Sequence, residues 1–207
     1  MVVARIPAES FPPRHAGTGP AADASPGSRA GRRAARAALT AAGTLLLLAG
    51  CASLGGGSSA TAVVLESRSG SSVTGNLALR DSSAGLRITG EVRGLKPDSE
   101  HGFHVHEKGD CSAPDASSAG GHFNPAGAPH GRMGAGAHHA GDMPNIKADA
   151  RGVAKVDQTV AGVTLAAGPN GAAGRALVVH RDPDDYSSQP AGNAGPRVAC
   201  GVVPAAP

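Results

Sequence analysis

The sequence predicts an all-β sandwich or barrel of seven or eight short strands. Three observations point there. Apolar and polar residues alternate with a period of two over short runs, which is the mark of half-buried antiparallel strands. The runs are separated by Gly, Pro, Asn and Asp, drawn from 31 Gly and 16 Pro in 207 residues. No stretch shows a helical period with caps. The Gly and Pro do not recur every third residue, which excludes a collagen-like chain. Leu, Lys and Glu are too sparse for a helical bundle. Aromatic residues make up 2% of the chain, too few for a platform that stacks bases.

The elements follow in order. Residues 62–66 form a first candidate strand. Val73, Leu77 and Leu79 share parity and predict a second, and 81–85 (DSSAG) reads as a hairpin turn into a third that carries Leu86, Ile88 and Val92. Residues 102–106 predict a further strand. After the turn at 149–152 (DARG), Ala154, Val156 and Val160 repeat the pattern. Residues 175–180 and 197–203 close the set. Residues 107–148 break the spacing with a long stretch rich in Gly, Ala and Pro. Structureless loops beyond about 15 residues are usually functional or disordered. This one is rich in histidine, so it reads as functional and held by metal.

The N-terminus reads as an address. Residues 1–50 carry six Lys and Arg against two Asp and Glu, a charge of +4, and residues 51–207 carry thirteen against fourteen, −1, for the total of +3. The remaining chain has no basic stripe to neutralise phosphates, so nucleic acid is excluded as a partner. Arg29, Arg32, Arg33 and Arg36 precede the short apolar run 37–49, as in a secretory signal. Arg32-Arg33 reads as an ordinary positive region rather than a twin-arginine signal. Leu48-Ala49-Gly50-Cys51 resembles the lipobox of bacterial lipoproteins, in which the cysteine is acylated. The expected layout is an N-terminal extension or misassigned start at 1–28, a lipoprotein signal peptide at 29–50, and lipidated Cys51 with a flexible tether at 51–60. The folded domain then occupies 61–207. Such a protein is exported and held on a membrane surface of the bacterial cell envelope or periplasm by lipid on Cys51. With Cys51 assigned to lipid, Cys111 and Cys200 remain. An even pair in an oxidising compartment reads as one disulfide, with two free thiols as the alternative.

Of nine histidines, seven fall between 101 and 139. In a strand, residues two apart face the same way. His104 and His106 therefore project together as a chelating pair, with Phe103 and Val105 on the other face. His122, His130 and His139 follow in the long loop, and Asp142 stands three residues past His139. Imidazoles with a carboxylate suit zinc, and imidazole also suits copper.

These blocks make the chain resemble the copper/zinc superoxide dismutase family, and its bacterial lipoprotein branch most closely. The resemblance rests on Gly102-Phe103-His104-Val105-His106-Glu107, Gly109-Asp110-Cys111, Gly121-His122-Phe123-Asn124-Pro125, His130-Gly131, His139-Ala140-Gly141-Asp142, Leu177-Val178-Val179-His180 and Gly192 to Gly201. It implies an eight-stranded antiparallel Greek-key barrel with long metal-binding loops. It implies copper on His104, His106, His122 and His180, and zinc on His122, His130, His139 and Asp142. His122 would bridge the two metals and pass a proton. Arg197 would attract the superoxide anion to the copper channel. Asp184 would link His104 to His130, and Cys111 and Cys200 would form the intrasubunit disulfide. The activity implied is dismutation of superoxide to oxygen and hydrogen peroxide outside the cytoplasm, protecting against oxidative damage. A non-catalytic extracytoplasmic copper/zinc-binding lipoprotein is the alternative. A structural sandwich would have no use for the histidines. His101 and His138 are extra to this set and read as exposed polar residues. A homodimer stays open, since no dimer interface is legible.

Overall fold

The computed structural model describes residues 60–205. The expected signal peptide at 29–50, Cys51 and nearly all of the expected tether lie outside the described residues. Nine strands follow in order: β1 Thr61–Ser67, β2 Thr74–Ser82, β3 Gly85–Arg93, β4 Glu100–His101, β5 Phe103–His106, β6 Ile146–Lys147, β7 Val153–Val160, β8 Ala176–His180 and β9 Arg197–Val202. The helical content described is one 3-10 turn, Ser117–Ala119.

Seven strands form one antiparallel sheet in the order β5-β8-β9-β1-β2-β3-β7, and β4 pairs with β6. Gly102 alone separates β4 from β5, so these two are one extended run that changes partner. Counted that way the strands number eight. The run also returns the sheet on itself. β4 pairs with β6, and an Ala148–Ala154 bridge joins the end of β6 to β7. β3 is followed in the ladder by β7 rather than by β4, and β7, β6 and β4 then run backwards, which is a Greek key. The two short strands β4 and β6 were not legible as separate elements, because two residues carry no periodicity.

Alternation places the core. Val63 and Leu65, Leu77 and Leu79, Leu86, Ile88 and Val92, and Ala154, Val156 and Val160 are all buried inside the barrel. Each large aliphatic side chain removed from water contributes about 1.5–3 kcal/mol. The β2–β3 hairpin turns on Ser83 and Ala84, and Gly85 enters β3 at φ +127°. A Cβ there would lie 2.2 Å from the Val160 carbonyl oxygen, so that position accepts glycine alone.

β5 and β8 are buried on both faces. Phe103, Val105, Leu177 and Val179 point into the barrel. Ala176 and Val178 point outward, into a small cluster with Cys111, Ala116, Ala119 and Cys200. The outward face of β5 carries His104 and His106.

Candidate metal centre

The long loop closes over β5 by adding backbone of its own. Val105 N donates to Gly141 O at 3.0 Å, Phe123 N to Val105 O at 2.8 Å and Gly141 N to Phe123 O at 2.9 Å. These bonds set His122 opposite His106 and Asp142 opposite His104. A Cβ on Gly141 would lie 2.2 Å from Val105 O, so a glycine is required for the approach. His180 arrives as the last residue of β8.

Two clusters result. His104, His106, His122 and His180 bring one ligand atom each within 4.8 Å of one another, and so do His122, His130, His139 and Asp142. All seven residues are buried, and His122 belongs to both clusters.

The hydrogen bonds fix which nitrogens face inward. His106 Nδ1 lies 3.0 Å from Gly120 O and His180 Nδ1 3.1 Å from Gly195 O. Carbonyls only accept, so both Nδ1 atoms carry the proton and both Nε2 atoms carry lone pairs. Those two Nε2 atoms face each other at 3.4 Å. His104 Nε2 sits 2.9 Å from Asp184 Oδ2, which leaves His104 Nδ1 as a buried lone pair without a partner, as is His122 Nε2. Four converging lone pairs in a buried space call for a cation. In the second cluster His122 Nδ1 and His130 Nδ1 lie 2.8 and 3.0 Å from a single oxygen, Asp142 Oδ1. His139 Nδ1 lies 3.3 Å from the same atom. Asp142 Oδ2 is taken by the N–H groups of Gly131 and His139. Three imidazoles and one carboxylate with tetrahedral capacity suit zinc. The residues present therefore fit both metals.

Electrostatics agree. Burial pushes His104 and His106 well below the ordinary imidazole value, and brings His180 down to about 4. Burial lowers His139 as well. These rings are neutral near pH 7 and free to donate lone pairs. Burial alone would raise Asp142, but hydrogen bonds from His122 and from the Gly131 and His139 amides outweigh it and keep the carboxyl well below its usual range.

Asp184 joins the clusters from behind. It bonds His104 Nε2 and, at 3.0 Å, His130 Nε2. Orienting carboxylates of this kind fix ring position and tautomer. Its backbone is clamped by Asn145, which bonds both Asp184 N and Asp184 O. Gln189 brackets His130 the same way, through its N–H and its carbonyl. Sequence reasoning missed Asn145 and Gln189, since single amides in loops carry no spacing signal.

Cys111 and Cys200 are disulfide-bonded across 89 residues. Arg197, three residues before Cys200, donates to Ala116 O and Gly120 O, each at 2.6 Å. Gly120 O thus accepts from Arg197 and faces His106 Nδ1 as well. Arg197 is half-buried beside His106, His122, His139 and His180 in a cleft of about 440 Å³. His138 is half-exposed, its Nδ1 on Gly136 O. His101 corrects the reading made of it: the ring is 4% exposed, held by Ser99 Oγ and by the His180 carbonyl.

The sequence profile of the family described as copper/zinc superoxide dismutase (SODC) matches residues 73–203. The chain belongs to that family. Its metals are copper and zinc, and the paired clusters can hold them. A superoxide dismutase [Cu-Zn] 2 of Aquifex aeolicus (strain VF5) is 46% identical over 135 residues, 63% of this chain and 79% of that protein. The superoxide dismutase-like protein YojM of Bacillus subtilis (strain 168) is 38% identical over 146 residues, 68% of this chain and 74% of the relative. A crystal structure of a double mutant of a superoxide dismutase-like protein from Bacillus subtilis superposes with a TM-score of 0.65 at 37% identity. It covers 71% of this chain and 99% of the other. The family resemblance read from the seven sequence blocks is thereby established, along with the barrel it implied.

Proposed function

We propose that the chain catalyses dismutation of superoxide outside the cytoplasm, two superoxide anions and two protons giving oxygen and hydrogen peroxide. The observation that carries this reading is the sharing of His122 between two ligand clusters beside a cleft that contains Arg197. Copper belongs on His104 Nδ1 and on Nε2 of His106, His122 and His180. Zinc belongs on Nδ1 of His122, His130 and His139 and on Asp142. Copper supplies the one-electron cycling and zinc a fixed charge without redox chemistry. The Arg197 guanidinium draws the small anion into the cleft and orients it with its donor fork. His122 presents Nε2 at the cleft wall, and in the state in which that nitrogen is not engaged by copper it would hold a proton and deliver it as a general acid. Asp142 and Asp184 keep the surrounding rings in place.

The rest of the chain supplies the location. The signal at 29–50 exports the domain at 61–207, and lipid on Cys51 anchors it to a membrane of the cell envelope through the tether at 51–60. The likeness to a protein called superoxide dismutase-like favours one second reading, a non-catalytic copper/zinc-binding lipoprotein. One experiment separates them. Superoxide consumption is measured on the mature protein fully loaded with both metals, after selective copper removal, and after selective zinc removal. The enzyme reading expects turnover that vanishes without copper and partly survives without zinc. A fully loaded protein that consumes no superoxide supports the binding reading. In the same preparations Cys51→Ser is expected to move the protein from the membrane fraction to the soluble fraction with activity unchanged. Retention in the membrane after export would refute the anchor.

A further inference from the structure

Tyr186 takes no part in either ligand cluster, and it is the single tyrosine of a chain without tryptophan. It stands in the segment between β8 and β9, two residues past Asp184. Its backbone is left-handed, at φ +60°, a conformation that a bulky residue keeps only where its surroundings hold it. Three contacts do so. Tyr186 N donates to Asp184 Oδ1 at 2.6 Å. Asn145 N donates to the Tyr186 hydroxyl at 2.8 Å. The Arg132 guanidinium lies over the ring, its central carbon 4.1 Å from the centroid, where a cation is attracted by the negative face of the aromatic system.

All three contacts lead to His130. Asp184 Oδ1, which receives the Tyr186 N–H, also lies 3.0 Å from His130 Nε2. Asn145, which donates to the hydroxyl, grips Asp184 N and Asp184 O with its side chain. Arg132 is two residues from His130 along the chain, and between them Gly131 N donates to Asp142 Oδ2. A closed circuit therefore runs from the His130 imidazole through Asp184 to Tyr186, and back through Arg132 to the His130 main chain. The joint has no slack. A Cβ on Gly192 would press on Asp184 Oδ1 and lie 2.7 Å from His130 Nε2.

We propose that Tyr186 is a positioning residue of the zinc site, locking the segment of His130 to the segment of Asp184 by taking the Arg132 guanidinium on its ring face and the Asn145 N–H on its hydroxyl. The proposal rests on His130 being a zinc ligand. It goes beyond the ligand set in assigning a task to an aromatic residue that touches no metal.

The test uses the copper- and zinc-loaded protein, with metal content measured. One readout is the rate of zinc release to a chelator. The other is tyrosine fluorescence as zinc is returned to the zinc-free protein, which reports Tyr186 alone. Arg132→Gln removes the cation and is expected to speed zinc release about 2–5-fold, the range for a cation over an exposed ring. Arg132→Lys keeps a cation and should restore most of the wild-type rate. Tyr186→Phe keeps the ring face and drops the hydroxyl, so its rate should fall between those of wild type and Tyr186→Leu, which drops both. Arg132→Gln combined with Tyr186→Leu should release zinc no faster than Tyr186→Leu alone, because the two share one contact. Zinc should change the emission of the wild type, and change it less in Arg132→Gln. A wild-type release rate in Arg132→Gln overturns the proposal, as does Arg132→Lys as fast as Arg132→Gln, an additive double variant, or an emission indifferent to zinc. If Tyr186→Leu does not fold, the two Arg132 variants decide by the same criteria. His130→Ala is the control. Unchanged zinc release there would remove His130 from the zinc site, a failure distinct from that of Tyr186.

Discussion

Arg197 carries the clearest consequence at the scale of single residues. Its guanidinium is fixed by two carbonyls of the disulfide loop, so it offers an anion a cation that does not have to be gathered in. A unit charge a few ångströms from an anion is worth about 1–4 kcal/mol between the dielectric of water and that of a protein surface. Arg197→Ala should therefore slow superoxide consumption about tenfold or more with copper content intact. Arg197→Lys should keep part of the rate, since charge survives and the fork is lost. Arg197→Glu should be slowest. Equal rates for wild type and Arg197→Glu would remove Arg197 from substrate guidance. This residue was legible from its motif, as were the histidines and Asp142, because metal ligation needs particular atoms at short spacing. His101 was misread because exposure cannot be inferred for a polar residue that finds all its partners in distant segments, here Ser99 and the carbonyl of His180. Asn145 and Gln189 were missed for the same reason: they grip backbone, and backbone leaves no trace in sequence.

Among the elements, the loop from Glu107 to Ala119 depends on one covalent tie. It has few apolar anchors, chiefly Ala116 and Ala119 against the outer face of β8, and Cys111–Cys200 fastens it to β9. The disulfide closes an 89-residue span, and closure of that length contributes on the order of 4–5 kcal/mol in the chain-entropy description. Clean reduction, or paired Cys111→Ser and Cys200→Ser, should lower the melting temperature. It should also reduce the rate per bound copper, because Ala116 O and Gly120 O lose the tie that keeps them on Arg197. An unchanged melting temperature and unchanged rate would refute this. The strands themselves were legible wherever one face is wet, as in β2, β3 and β7. β5 and β8 were named as candidates at 102–106 and 175–180 without the one-wet-face pattern of the others, since both faces are covered. β4 and β6 were invisible: two residues each, they are strands only because Gly102 lets the run turn from one partner to another.

For the whole molecule, the buried imidazoles make the metal-free barrel sensitive to acid. Burial brings His180 down to about 4 when folded, against 6.5 in an unconstrained chain, and burial also holds His104 and His106 well below the ordinary imidazole value. Below about 6.5 the unfolded chain takes up protons that the folded one refuses. Stability is thus complete above that pH and falls as pH drops toward 4. Urea midpoints of the metal-free protein should decline between pH 7 and pH 4.5, and a flat profile would show that these rings are not neutral in the fold. The two strands without a solvent face have a further consequence, in time rather than in energy. Amides that open only with global unfolding exchange slowest with solvent. Those of Val105 and of Leu177 to Val179 are paired in ladders roofed on both sides. They should keep their hydrogen longest, while the exposed loop at 134–137 exchanges at once. The clustered histidines on β5 and β8 then share the lifetime of the barrel itself, and their place in the pocket should outlast every local fluctuation short of complete unfolding.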